Sequence, residues 1–117
     1  MISRIDLLKL FVKYGSCPLI HVHVEDKEYS QHKKSDVKDL LRDFKVKKYI
    51  KEIFDCDDQA DDMRNYLRKN RIKAGYMKVT KHMKLIFARD DNTLLSIDPG
   101  TKEISQLPDD IEYIMWW

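Results

Sequence analysis

Apolar residues Ile2, Ile5, Leu7, Leu8, Leu10, Phe11 and Val12 recur at helical spacing as far as Tyr14, and Gly15 follows where a helix C-cap belongs. The opening therefore reads as a helix over residues 2–14. Cys17-Pro18 ends it, and Leu19, Ile20, Val22 and Val24 make a short β-prone run in which His21 and His23 would share a strand face. Residues 26–34 are polar and irregular, with Tyr29 as the one large anchor. Ser35 then has the character of an N-cap for a second helix, whose apolar positions Val37, Leu40, Leu41 and Phe44 fall at i, i+3, i+4 and i+7. Residues 45–51 read as a solvated basic connector with Val46, Tyr49 and Ile50 interleaved.

The chain is organised around the next stretch. An apolar lead-in, Ile53-Phe54, stops at Asp55, and from Cys56 the positions Cys56, Gln59/Ala60, Met63 and Leu67 lie on one helical face. Asp55 is a good N-cap, so a central helix should begin at Cys56 and end near Asn70, with Lys69 and Arg71 at its negative pole. Beyond it, residues 74–79, 82–88, 93–97, 103–107 and 111–116 are short and β-prone, separated by turns such as Asp90-Asp91-Asn92 and Asp98-Pro99-Gly100-Thr101. The pattern as a whole predicts an α+β fold: helices in the first half, the central helix packed on a carboxyl-terminal antiparallel meander.

A length of 117 residues suits one domain over 1–117, and 43% hydrophobic residues with few Gly and Pro suit a packed core. The net charge of +2 supplies no global field for nucleic acid or an anionic membrane. No apolar run reaches the ~20 residues that span a bilayer, so no signal peptide or anchor is expected, and the setting is read as cytoplasmic. Cys17 and Cys56 are then expected as free thiols. His21 and His23 could pair on a metal, but no third ligand is near in sequence, and a solvated pair is the simpler reading.

The position of Cys56 carries chemistry. The positive end of a helix favours a thiolate, the species that attacks carbonyls, while Asp57 and Asp58 oppose it; reactive and structural readings both stand on the pattern alone. Strand alternation puts His82, Lys84, Ile86 and Ala88 on one face and Met83, Leu85 and Phe87 on the other. If residues 82–88 and 93–97 form a hairpin, His82 and Asp98 lie at the same open end of the ladder. Cys56, His82 and Asp98 then make a possible set of nucleophile, base and orienting carboxylate. By spacing alone, a surface histidine, a structural cysteine and a turn-forming aspartate account for the same residues.

The core Phe54-Asp55-Cys56-Asp57-Asp58-Gln59-Ala60 resembles the Phe-Asp-Cys-Asp-Asp-Phe-Ala signature of a small papain-like family that includes phage-associated proteins and the C-terminal cysteine-protease domain of a fungal mushroom agglutinin. Gly75, His82-Met83 and Ile97-Asp98-Pro99 follow in the family's order, and the likeness extends over most of the chain. The chain departs from the pattern at Gln59 (an aromatic in the family), Met83 (small), Asp98 (Glu) and Gly100 (Gln).

The resemblance implies a minimal papain-like domain with Cys56 as nucleophile, His82 as base and Asp98 as third member. It also implies calcium or manganese at Asp57, Asp58 and Asp98. The activity implied is that of a cysteine hydrolase or acyl-transfer enzyme on peptide or isopeptide bonds, with a peptide or protein substrate and a viral or prophage source. The competing expectation is a non-catalytic papain-like module that binds a host factor. A third, nucleic-acid binding through residues 45–51 and an exposed Trp116-Trp117 end, fits the small net charge poorly. Oligomeric state is left open.

Overall fold

The computed structural model describes residues 1–15, 17–51 and 55–117, so the expected lead-in Ile53-Phe54 lies outside the described residues. The elements run β1 (Ile2–Ser3), α1 (Arg4–Tyr14), a 3-10 turn (Leu19–His21), β2 (Val22–Val24), β3 (Glu28–Tyr29), β4 (Gln31–His32), α2 (Lys34–Arg42), α3 (Cys56–Lys69), β5 (Gly75–Val79), β6 (His82–Arg89), β7 (Leu94–Ile97), β8 (Ile104–Gln106) and β9 (Ile111–Trp116). The fold is α+β. None of its helices is long and apolar enough to cross a membrane.

The main sheet has the order β2-β9-β5-β6-β7-β8, with β4 joined to β6. Strands β5 to β8 form the expected meander, but β9 does not follow β8. It returns to the far side of β5, pairing Tyr76 with Met115 and Met77 with Ile114. The amino-terminal half also contributes to this sheet: β2 runs parallel to β9 and β4 parallel to the end of β6.

Alternation along the strands splits the interior into two cores. Ile86, Ala88, Leu94, Met77 and Trp116 pack with Leu7 and Phe11 of α1. Met83, Leu85, Phe87, Leu95 and Ile97 pack with Val37 and Leu41 of α2 and with Ala60, Met63 and Leu67 of α3. The sheet is thus a middle layer between α1 and the α2/α3 pair, each helix burying its apolar stripe against one face.

Local details depart from the sequence reading for identifiable reasons. Residues Ile2 and Ser3 pair with Tyr29 and Glu28, so α1 starts at Arg4, with the Ser3 side chain accepting the Asp6 amide. Gly15 closes α1 at φ 64, the left-handed conformation glycine adopts without a Cβ penalty. The stretch 26–34 is not irregular throughout, since β3 and β4 lie in it. The N-cap of α2 is Lys33 with no side-chain bond, rather than Ser35, which lies inside the helix. His21 belongs to the 3-10 turn and His23 to β2, so they do not share a strand face, and both are exposed.

Trp116 is fully buried, not an exposed end. Its ring lies 5.0 Å from that of Tyr29, whose hydroxyl donates to the Trp116 carbonyl at 2.7 Å. Gly75 makes room for it: a Cβ there would stand 2.5 Å from Trp116 Cγ.

Candidate active site

Helix α3 begins where its first turn is chemically specified. Asp55 Oδ1 accepts the amides of Asp57 and Asp58 at 3.1 and 3.3 Å, and the Asp55 amide donates to Asp58 Oδ2 at 3.1 Å, closing a capping box. This reciprocal cap satisfies donors that the helix start would otherwise leave open and fixes Cys56 as the first helical residue. Cys56 is half-buried against the α2/α3 core, and its thiol donates to Asp57 Oδ1 at 3.7 Å. Both cysteines are free thiols. Burial pushes the Cys17 thiol up from its ordinary value.

The hairpin of β6 and β7 brings His82 and Asp98 together. Leu85 pairs with Ile97, so the strand start carrying His82 and the strand end leading to Asp98 share one end of the ladder. His82 Nε2 stands 3.2 Å from Asp98 Oδ2, with both side chains largely shielded.

Asp98 has a second task. Its Oδ1 accepts the amides of Gly100 and Thr101 at 2.8 and 3.2 Å, while its backbone carbonyl accepts the Lys102 amide at 2.7 Å. One carboxylate oxygen therefore pins the turn, and that turn holds the other oxygen against the imidazole. Lys102 Nζ, donating to the Phe44 carbonyl at 2.8 Å, ties the same turn to the end of α2.

The first turn of α3 reaches this loop through Gln59, three residues after Cys56 and so on the same helical face. Gln59 is buried and donates to the Lys47 carbonyl at 3.1 Å. A Cβ on Gly100 would stand 3.3 Å from Asp98 Oδ1 and 3.5 Å from Gln59 Oε1. Gln59 and Gly100, read in the sequence only as departures from a signature, thus lie close together where the Cys56 helix approaches the Asp98 turn. Among the described residues, the thiol's hydrogen bond goes to Asp57 and not to His82.

Asp57, Asp58 and Asp98 are each engaged: Asp57 by the thiol, Asp58 by the capping box, Asp98 by His82 and its own turn. Among the described residues, no group of three or more His, Cys, Asp or Glu side chains is arranged to hold a metal ion.

Beside Cys56 lies a feature the sequence reading missed, a cavity of about 170 Å³ lined by Asp57, Asp61, Tyr76, Met83 and Met115. Met83 directly follows His82 and Asp57 directly follows Cys56. The spacing of Asp57 and Asp61, i and i+4 on one helix, is the signal that pairs them; the remaining walls come from three strands that only the sheet topology unites.

No family model matches the chain, and no curated protein matches it. Among solved structures the chain is similar to one described as the PSL1a-E64 complex, with a TM-score of 0.80 and 15% identity. The match covers 97% of this chain and 50% of that one, so the chain spans half the length of the structure it resembles. At that identity the likeness is one of fold.

Proposed function

We propose that the protein is a papain-like cysteine hydrolase or acyl-transfer enzyme acting on peptide or isopeptide bonds. The observation that carries the reading is the 3.2 Å contact between His82 Nε2 and Asp98 Oδ2, at the open end of the β6–β7 hairpin, where the turn that follows β7 comes close to Gln59 on the helix that starts at Cys56. An imidazole held through Nε2 by a carboxylate keeps Nδ1 for another partner. In the proposed reaction the Cys56 thiol exchanges its Asp57 bond for His82 Nδ1, which takes the proton as sulfur attacks the acyl carbon.

His82 then returns that proton to the leaving group, and water releases the acyl group by the reverse sequence. Asp98 stabilises the imidazolium and fixes its tautomer. The Cys56 amide, at the first helical position and outside the Asp55 cap, is the donor proposed for the developing oxyanion.

Calcium or manganese at Asp57, Asp58 and Asp98 is a separate proposal, and the reaction above does not pass through it. Asp57 Oδ2 and Asp58 Oδ1, the oxygens not engaged by the thiol and the capping box, would be the ones to face such a cation. Melting temperature against millimolar calcium or manganese tests it. A rise lost in the Asp57→Asn/Asp58→Asn double variant supports the site, and no rise in the parent removes it.

The catalytic reading is tested by iodoacetamide labelling near neutral pH, read by mass spectrometry at Cys56 and Cys17. Because burial shields Cys17 and pushes its thiol up, it is the internal reference. Faster labelling of Cys56 that slows in His82→Ala is expected; E64, named in the PSL1a complex, is a second reagent to try. Equal rates at the two cysteines, or a rate at Cys56 indifferent to His82, would leave the alternative: a papain-like module that binds a protein partner without catalysis.

A further inference from the structure

The cavity next to Cys56 combines two properties that select a ligand. Its walls include Met83, Met115 and the Tyr76 ring, with Tyr76 and Met115 cross-strand neighbours in β5 and β9. Its edge on α3 carries Asp57 and Asp61, one turn apart. Asp61 accepts the Tyr76 hydroxyl; burial, and then that hydrogen bond, raise the hydroxyl above its ordinary value, with Arg64 offsetting part of the effect, so it remains a donor. Arg64, whose guanidinium carbon stands 4.7 Å from the Tyr76 ring centroid, donates to the Ala74 and Trp117 carbonyls at 3.0 and 3.1 Å, and among the described residues no ion pair joins it to Asp57 or Asp61.

We infer that this cavity is the subsite for a lysine or arginine side chain of the substrate, seated beside the bond that Cys56 attacks; the inference rests on the cysteine-hydrolase reading. The volume of about 170 Å³ has room for one long unbranched side chain. A methylene stem lies well along thioether and aromatic surface, while its charged end needs a counter-charge. Asp57 and Asp61 supply it. A glutamate would meet two like charges, and a purely apolar side chain would shield both carboxylates from water without pairing them. The link to the nucleophile is Asp57, which lines the cavity and accepts the Cys56 thiol, so an occupant lies beside Cys56.

The test uses three peptidyl acyloxymethyl ketones identical except for Lys, norleucine or Glu beside the ketone, with iodoacetamide as a control that needs no subsite. In each ketone the Cys56 sulfur forms a bond to the methylene carbon as the carbon–oxygen bond breaks and the carboxylate leaves. Labelling rates at Cys56 are measured with EDTA present, so that no divalent cation occupies Asp57. The lysine probe should react at least about tenfold faster than norleucine, equivalent to about 1.4 kcal/mol. With each rate divided by that variant's own iodoacetamide rate, Asp61→Asn should bring that ratio towards one, and Asp61→Lys should let the glutamate probe overtake the lysine probe. Equal lysine and norleucine rates alongside His82-dependent iodoacetamide labelling overturn the subsite and leave the hydrolase reading standing. Loss of His82-dependent iodoacetamide labelling overturns both.

Discussion

His82 Nε2 and Asp98 Oδ2 stand 3.2 Å apart across the β6–β7 ladder end, while Asp98 Oδ1 accepts the Gly100 and Thr101 amides of the turn that follows. One side chain thus shapes the loop and orients the ring, and substitutions can separate the two tasks. Asn retains an Oδ1 acceptor for the turn but removes the charge facing His82; Ala removes both.

Turnover of an acyl-fluorogenic peptide library should therefore grade the three residues. Cys56→Ala should abolish turnover, and His82→Ala should cost on the order of 10²–10⁴-fold, the usual worth of a general base. Asp98→Asn should slow the reaction and leave a measurable remainder, with the fold intact by circular dichroism. Parental turnover in Cys56→Ala would assign the activity elsewhere.

Stability should rank in the opposite order from activity. Leu67 is fully buried between α3 and the sheet, so Leu67→Ala should cost about 2–5 kcal/mol in denaturant unfolding. Cys56→Ser, at a half-buried helix start whose cap comes from Asp55, should cost far less. If Cys56→Ser proves the more damaging, Cys56 is a packing residue and the catalytic proposal loses its nucleophile.

Gly75 supplies a sharper test of packing. A Cβ there would approach Trp116 Cγ to 2.5 Å, and Trp116 is held on its other contacts by the Tyr29 ring and hydroxyl. Gly75→Ala should therefore destabilise by about 1–3 kcal/mol, as overpacking does. Trp116→Ala removes Cγ and Cδ1, two of the three atoms that the new Cβ would meet, so Gly75→Ala should cost less in the Trp116→Ala background than in the parent. An unchanged melting temperature in Gly75→Ala would show that β5 and β9 are free to separate.

These residues also mark how far the sequence can be read. Helix α3 is legible because a cap, a helical face and a charge-complemented end coincide from Asp55 to Asn70. The His82–Asp98 pair is legible because strand alternation and one short turn confine both residues to the same ladder end. Parallel pairing of β2 with β9 is not: strands of three residues carry too little pattern, and their partner lies at the far end of the chain. Arg64 looks like one charge among many in a polar helix, yet it is buried between the Tyr76 and Trp117 rings, 4.7 and 4.3 Å from their centroids. No local spacing announces a cation that two distant aromatics and two carbonyls enclose. The basic-subsite cavity is hidden for the same reason, since β5, β6 and β9 meet there only once the sheet is assembled.

The remaining expectation concerns pH and rests on His32, away from the candidate site. His32 Nε2 accepts the Lys73 amide at 3.2 Å, a role open only to an unprotonated nitrogen. Burial holds the imidazole below its ordinary value of 6.5, with the Asp36 charge offsetting part of the effect. The unfolded chain therefore binds the proton more readily than the folded one, and stability must rise with pH across the interval between the two values. Above about 6.5 both states are neutral at His32 and the contribution is complete. As pH falls from there towards the lowered folded-state value, the unfolded chain is protonated first and stability is lost; below that value both states are protonated and the loss levels off. His32→Gln can keep an acceptor, Oε1, for the Lys73 amide without titrating. Urea midpoints measured between pH 8 and 5 should fall less in His32→Gln than in the parent. Parallel curves for the two proteins would mean that His32 protonates equally in both states and that its burial does not bear on stability.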